Sequence, residues 1–94
     1  MGLLFEWDAE EAKGNLRKHG VSFDEASSIF ADIHSVTIDD PLHSAQEVRL
    51  VTTGYSVKHR LLVVVHADRG NRMRIISARM ATRYEREAYE EGEA

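Results

Sequence analysis

Apolar and polar residues follow two different patterns in the two parts of this 94-residue chain. In the first part, apolar residues recur every three or four positions, as one side of an α-helix requires. Ala12 and Leu16 show this spacing in one segment, and the next segment has Phe23, Ala26, Ile29 and Phe30. From about residue 35 onward, short apolar runs are separated by turn residues, which is typical of β-strands. The pattern therefore predicts helices first and a sheet afterwards.

Capping residues set the bounds of the two predicted helices. The first helix is expected over residues 9–19, because Asp8 precedes it with Glu11 three positions on, the spacing of a capping box. Gly20 follows the last turn, where many helices end with a residue in the left-handed conformation. Ser22 and Glu25 form a second capping box, which begins the next helix.

The corner between these helices, K-H-G-V-S-F-D-E-A at residues 18–26, admits more than one interpretation. Lys18 and His19 suit the last turn of a helix, where cations favour the dipole. A catalytic Lys-His pair stays open, because a helix end can also present both groups to a substrate. A DNA-binding helix-turn-helix is excluded on charge. Its second helix would place Asp24 and Glu25 against DNA without a single lysine or arginine.

The second part of the chain predicts a sheet and a final helix. Its strands are expected at residues 36–38, 48–53, 61–67 and 73–78, and one further short strand, at residues 3–7, precedes the first helix. The run at 61–67 is almost entirely apolar, as in a central strand covered on both faces. Thr82 and Glu85 form a third capping box, which begins a C-terminal helix. The order of strand, two helices, about four antiparallel strands and a helix predicts an α+β fold with its helices on one side of the sheet.

Composition fits one folded domain over residues 1–94, with 43% hydrophobic and 30% charged residues. The chain has no cysteine, which excludes disulfides and thiolate metal sites and suits a reducing cytoplasm. The apolar run at residues 3–5 is too short for a signal peptide or a membrane span. We therefore expect a cytoplasmic protein without membrane contact.

Charge is distributed unevenly along the chain. The net charge is −4, yet residues 46–83 hold eight basic and two acidic residues, or +6, which leaves −10 for the remainder. Such asymmetry indicates a face that binds a polyanion on an otherwise acidic protein. The alternative is that these arginines are scattered over both faces of a sheet, because neighbouring strand residues point to opposite sides.

Three segments occur in order along the chain, namely KHGVSFDEA, DDPLHSAQEVR and RLLVVVHADRGNRMRIISARMATRYERE. Together they resemble the BrnT family of type II toxins, and the resemblance runs from about residue 5 to residue 87. It implies a RelE-like ribonuclease fold, growth arrest through RNA cleavage, and a BrnA-type antitoxin with a ribbon-helix-helix DNA-binding domain. It also implies that DNA is bound only indirectly, when the toxin–antitoxin complex represses its own operon.

The chain departs from the family pattern in two places. Met80 stands where the family usually has a basic residue, and the C-terminal helix is acidic at Glu85, Glu87, Glu90 and Glu91. Both changes remove positive charge near the expected RNA face. They keep a second function open, that of an inactivated toxin that only binds its antitoxin.

Cleavage of RNA without a metal or cofactor requires a base for the 2′-hydroxyl, charge stabilisation at phosphorus and protonation of the 5′-oxygen. Arg79 and Arg83 are the first candidates for charge stabilisation. Arg79 is expected at the end of a strand, on the same face as Met73, Ile75 and Ser77, because every second residue of a strand points to the same side. Arg83 lies in the first turn of a helix, where a cation opposes the dipole unless an anion is bound there.

Further candidates are His66, Glu47 and Arg49. His66 ends the central apolar strand and is either a catalytic group or a buried, hydrogen-bonded core residue. Glu47 and Arg49 are two residues apart on one side of a strand, either as a base with a phosphate clamp or as an exposed ion pair.

RNA backbone contacts are expected from five basic residues. They are Lys58 and Arg60 in or beside a flexible connection, together with Arg72, Arg74 and Lys18. His34, Asp39, Asp40 and His43 have side chains of the kind that bind metals, but their spacing fits no standard zinc or calcium site, so we expect none.

Overall fold

The computed structural model describes residues 4–40 and 47–92, and within them the predicted order of elements is confirmed. The elements are β1 (Leu4–Glu6), α1 (Ala9–His19), α2 (Phe23–Ser27), a 3-10 turn (Ser28–Ala31), β2 (Val36–Asp39), β3 (Arg49–Tyr55), β4 (Leu61–Arg69), β5 (Arg72–Met80) and α3 (Arg83–Gly92). None of the helices in these two ranges has the length and apolar character needed to cross a membrane.

The corner after α1 is built as predicted. Asp8 accepts a hydrogen bond from the Glu11 N–H at 2.9 Å, and Gly20 ends the helix with φ at 69°. The Gly20 N–H donates to the Leu16 carbonyl at 2.9 Å, which satisfies one of the last carbonyls of the helix. Lys18 and His19 lie in its last turn. The structural interpretation of this segment is therefore confirmed.

The second capping box is only half formed. Ser22 Oγ accepts from the Glu25 N–H at 3.0 Å, as expected. The Glu25 carboxylate, however, turns inward and binds Ser56 and Arg60 instead of returning to the backbone of Ser22. A guanidinium is a stronger partner for a buried carboxylate than an amide, so the ion pair replaces the cap.

In the part of the chain that the structure describes, the sheet has five strands in the order β1-β5-β4-β3-β2. Strands β2 to β5 are antiparallel, as predicted, but β1 pairs with β5 in parallel, so the sheet is mixed. The direction of β1 is set by a partner almost seventy positions later in the chain, and no local pattern reveals it. The first strand is thus an edge strand, and β4 is central.

The two faces of the sheet have different environments. One face, here the helical face, packs against α1 and α2 around a core of Val21, Phe23, Ala26, Ile29, Leu62, Val64, Ile75 and Ala78. The other, here the open face, carries Val36 and Ile38 of β2, Val51 of β3 and Val65 of β4, as the strand register requires. Helix α3 stands beside Val36 and Thr53 of this second face. The expectation that all helices lie on one side is therefore wrong.

A β-bulge in β5 changes which residues share a face. Val65 pairs with Ser77 and His66 with Ile75, so Ile76 is an extra residue. Ile75 and Ala78 are consequently both buried on the helical face although they are three positions apart. Arg79, which pairs with Val63, points to the opposite side from Ile75. The predicted alternation of Arg79 with Met73 and Ile75 is wrong for this reason.

Candidate functional site

Most of the predicted basic face is present on the open face. The register places five arginines on this side of the sheet, namely Arg49, Arg69, Arg72, Arg74 and Arg79. Arg49 and Arg74 are both paired with Ala67 of the central strand, so they lie in one row across the sheet. The alternative of arginines scattered over both faces does not describe this arrangement.

Carboxylates accompany Arg49, Arg69 and Arg74 at distances longer than an ordinary hydrogen bond. Arg69 lies 3.5 Å from Glu47 and 3.8 Å from Glu6, and Arg49 lies 4.0 Å from Glu47. Arg74 lies 3.7 Å from Glu6 and 3.9 Å from Glu11. Loose pairs between partly exposed side chains contribute only about 0–1 kcal/mol each, so a phosphate can replace the carboxylate at little cost. We call Glu47, Arg49, Arg69 and Arg74 the arginine cluster.

A shallow cavity of about 190 Å³ borders the arginine cluster. Its lining residues are Asp40, Arg49, Val65, Ile76 and Ser77. The bulge at Ile76 helps to form it, because the extra residue bends the strand locally. The floor is apolar and the rim is charged, which suits an unstacked base beside its phosphate.

Arg79 and Arg83 are held by carboxylates of α3. Arg79 donates to both oxygens of Glu85 at 2.8 and 2.9 Å, a bidentate pair. Glu85 also accepts from the Thr82 N–H at 2.8 Å, which confirms the third capping box. The Arg79 guanidinium lowers the pKa of Glu85 to about 2, so Glu85 is ionised and is a poor general base.

Arg83 extends from the first turn of α3 into solvent, with a side chain that is 91% exposed. It donates to Glu87 at 3.3 Å, one helical turn away. The anion that an arginine at a helix N-terminus requires is therefore supplied from within the chain, by Glu85 and Glu87. A catalytic role for Arg79 and Arg83 remains a prediction, and it would require both arginines to exchange these carboxylates for a phosphate.

His66 is a buried residue of the helical face. It is 2% exposed, its Nε2 lies 2.7 Å from Thr52 Oγ1, and its ring contacts Phe30 edge-on. Burial lowers the pKa of His66, while Asp68, 3.8 Å from Nδ1, acts in the opposite direction. The structure therefore supports a core role for His66 and not a catalytic one, since a substrate on the open face cannot reach this ring.

The remaining RNA-binding candidates lie at the opposite end of the sheet. Lys58 and Arg60 belong to the turn between β3 and β4, which is tight, because the Ser56 N–H donates to the Arg60 carbonyl at 2.9 Å. From Leu61 to Arg69, β4 spans roughly 27 Å, so this turn is far from the arginine cluster. Lys18 lies two residues before Gly20, whose carbonyl accepts from Arg60 at 3.0 Å. Lys18 and Lys58 thus form a separate basic end.

Arg60 has a structural role that the sequence did not predict. Its Nε donates to Glu25 at 2.9 Å, and a terminal nitrogen reaches the other carboxylate oxygen. The Glu25 side chain is 2% exposed and also accepts from Ser56 Oγ at 2.7 Å. The Arg60 guanidinium lowers the pKa of Glu25, so the buried carboxylate is ionised.

Asn15 is a second residue whose role the sequence did not reveal. Its side chain is buried, donates to the carbonyls of Ala78 and Val21, and accepts from the Ala78 N–H at 3.0 Å. Strand β1 pairs with β5 only as far as Arg74, and Asn15 satisfies the backbone of Ala78 further along the same edge. The sequence offers one signal, a polar residue on the apolar side of a short amphipathic helix. It does not reveal the partner, which lies 63 positions away.

The residues considered for a metal are not gathered within the described ranges. Across residues 4–40 and 47–92, no group of three or more histidine or acidic side chains is arranged to hold an ion. His43 lies outside the described residues. Asp32, adjacent to this set, instead accepts from the backbone of Tyr55 and His34 and from the Tyr89 hydroxyl.

Comparison with known proteins identifies the family. Residues 7–85 match the model of the family described as the ribonuclease toxin, BrnT, of type II toxin-antitoxin systems. The chain belongs to the BrnT family. The structure is similar to the crystal structure of the Brucella abortus ribonuclease toxin, BrnT, with a TM-score of 0.68 and 19% sequence identity. That similarity covers 87% of this chain and all of the Brucella chain, and it shows a shared fold. No curated protein matches the sequence.

Membership of the BrnT family makes this chain a toxin of a type II toxin-antitoxin system and assigns it to a family of ribonucleases. An antitoxin partner follows from the same assignment. The match begins at Trp7 and ends at Glu85, so it includes the arginine cluster, the corner after α1 and the start of α3.

Proposed function

We propose that this BrnT-family toxin is a metal-independent endoribonuclease that binds RNA across its open face. The observation that carries the proposal is the arginine cluster, in which Glu47 lies between Arg49 and Arg69 beside a cavity with an apolar floor. Glu47 stands 4.0 Å from Arg49 and 3.5 Å from Arg69, unlike Glu85 in its bidentate pair. Its carboxylate can therefore act as the proton acceptor while the two arginines act as the phosphate clamp that RNA cleavage requires.

In the proposed reaction, the Glu47 carboxylate accepts the proton of the ribose 2′-hydroxyl. The 2′-oxygen attacks phosphorus, the bond from phosphorus to the 5′-oxygen breaks, and solvent donates a proton to the departing oxygen. Arg49 and Arg69 stabilise the additional negative charge on the phosphorane. The products are a 2′,3′-cyclic phosphate and a 5′-hydroxyl.

Other basic residues extend the proposed RNA path. Arg72 extends the arginine cluster along β5. Arg79 lies five residues after Arg74 but only four ladder positions away because of the bulge, which is roughly 13 Å along the strand. Lys18 and Lys58 mark the far end of the sheet. Arg60 stabilises the turn that carries Lys58 through its ion pair with Glu25, and this structural role is separate from any contact with RNA.

The proposal includes the regulation implied by the family resemblance. A BrnA-type antitoxin with a ribbon-helix-helix domain neutralises the toxin, and DNA is bound through that domain. The RelE-like relationship suggested by the sequence is compatible with a mixed sheet that has helices at its sides. A second candidate function is an inactivated toxin that only binds its antitoxin. It is favoured by the carboxylate partners of Arg79 and Arg83.

The experiment compares single-turnover RNA cleavage by four folded variants with cleavage by the parent. Arg49→Ala and Glu47→Gln should each lower the rate by about 10² while RNA binding changes only a few-fold. Arg83→Ala tests the alternative site formed by Arg79 and Arg83. Lys13→Ala is the control, because Lys13 is an exposed cation of α1.

The two sets of residues predict different results. If Arg83→Ala loses cleavage and Arg49→Ala retains it, the site lies at α3 and the arginine cluster only binds RNA. If the parent and every variant lack cleavage but bind the antitoxin, the second candidate function replaces the first.

A further inference from the structure

Within residues 4–40 and 47–92, strand β2 has no neighbouring strand on its outer edge. It is the last strand in the sheet order, and all four of its residues, Val36–Asp39, are exposed. The Asp40 N–H donates to the Arg49 carbonyl at 2.9 Å, which makes these two residues a hydrogen-bonded pair of the β2–β3 ladder. Since such pairs alternate in an antiparallel ladder, Thr37 and Asp39 direct their N–H and C=O groups outward. This edge offers four backbone groups to a further strand.

The side chains along this edge are apolar on the open face. Val36 is 51% exposed and Ile38 is 61% exposed. A groove of about 370 Å³ continues from Val36 and Thr53 to Tyr84, Ala88 and Tyr89 of α3. A cavity of about 150 Å³ already holds benzene, so the groove has room for a large apolar side chain. Tyr84 is itself 79% exposed beside it.

Asp39 gives this edge a negative charge, unlike the arginine cluster. This residue is exposed like the rest of β2, whereas Glu85, which lines the groove, is already paired with Arg79. The Asp39 carboxylate repels an RNA backbone, and it repels the same residue of a second copy. It attracts a segment that carries lysine or arginine among its apolar residues.

We propose that the antitoxin docks an extended segment against β2 and adds a sixth strand to the sheet. Backbone groups of that segment bond to Thr37 and Asp39, as in other cases of strand addition. Its apolar side chains contact Val36 and Ile38, and one of them enters the groove under α3. Its basic side chains, which alternate with the apolar ones, lie beside Asp39. The proposal rests on family membership, and it does not depend on the proposed site of RNA cleavage.

The test measures binding of the purified chain to the protein encoded by the adjoining reading frame. Asp39→Pro removes an outward N–H and leaves the bonds between β2 and β3 in place, as prolines at sheet edges do. It should weaken binding about tenfold or more, because the docked strand loses a bond and meets the proline ring. Asp39→Asn keeps the backbone donor but removes the charge, so it should weaken binding less than Asp39→Pro does. The matched control is Asp24→Asn, at an exposed acidic residue of α2, which should leave binding unchanged.

A second variant, Ile38→Lys, keeps the test decisive if Asp39→Pro does not fold. Its side chain is exposed, so the fold should tolerate lysine, whereas binding should again weaken about tenfold. Parental affinity in both Asp39→Pro and Ile38→Lys would overturn the proposal. So would a dimer of the free chain that Asp39→Pro dissociates, because the edge would then belong to a second copy. RNA cleavage by each free variant is measured in parallel, which separates failure of docking from failure of the ribonuclease proposal.

Discussion

Replacing Glu25 with alanine tests whether the corner after α1 is fixed by a buried ion pair. The carboxylate accepts from Arg60 Nε at 2.9 Å, from a terminal nitrogen of Arg60 and from Ser56 Oγ at 2.7 Å. Removing it leaves the buried Ser56 hydroxyl without this acceptor, which costs about 1–3 kcal/mol, and it removes bonds to a charged group. We expect a loss of about 3 kcal/mol in the free energy of unfolding.

For a chain of this length, a loss of about 3 kcal/mol lowers the melting temperature by roughly 12 to 24 °C. Thermal unfolding followed by circular dichroism measures this directly. Asp24→Ala is the matched control, because Asp24 is the exposed neighbour in the same helical turn. It should change stability by less than about 0.5 kcal/mol.

The pH dependence gives a second readout of the same pair. Arg60 lowers the pKa of Glu25, so the pair stabilises the fold above the pKa of a free glutamate, about 4.3, and the contribution is lost as pH falls through the lower folded pKa. The difference between parent and Glu25→Ala should therefore narrow below about pH 4. A melting temperature within about 2 °C of the parent at pH 7 would refute the structural role and return Arg60 to the RNA-binding residues.

Two further predictions concern Asn15 and Glu85. Asn15→Ala should cost about 3 kcal/mol in guanidinium unfolding, because the N–H and C=O of Ala78 lose their partner, while Lys13→Ala on the same helix should cost little. Parental stability of Asn15→Ala would contradict that role. The Glu85–Arg79 pair, in which the pKa of Glu85 is about 2, should be present above about pH 4.3 and be lost as pH falls toward 2. The difference in thermal stability between the parent and Glu85→Gln should therefore shrink as pH falls from about 4.3 toward 2, and a difference that does not change with pH would contradict the assignment.

The sequence predicted those parts of the fold that depend on neighbouring residues. The caps at Asp8, Ser22 and Thr82 and the left-handed Gly20 are local features, and their partners lie within four positions. The strands were located to within one or two residues for the same reason, since apolar runs and turn residues define them. The apolar character of 61–67 correctly indicated the central strand β4.

Features that depend on distant partners were missed. The parallel direction of β1, the pairing of Asn15 with Ala78 and the use of Glu25 by Arg60 each join residues more than 30 positions apart. The sequence of β5 gives no sign of the bulge at Ile76. Arg79 was therefore predicted on the same face as Ile75, whereas the two lie on opposite faces. Only the fold shows that Arg49, Arg69 and Arg74 lie together and that Lys58 lies at the other end.

The most direct test of the central claim is cleavage of single-stranded RNA by the purified toxin in the presence of excess EDTA, with the product ends identified. Attack by the 2′-hydroxyl without a metal predicts unchanged cleavage and fragments that end in 2′,3′-cyclic phosphate and 5′-hydroxyl groups. Cleavage that EDTA abolishes, with 5′-phosphate products, would contradict the account and direct attention to a metal-activated water.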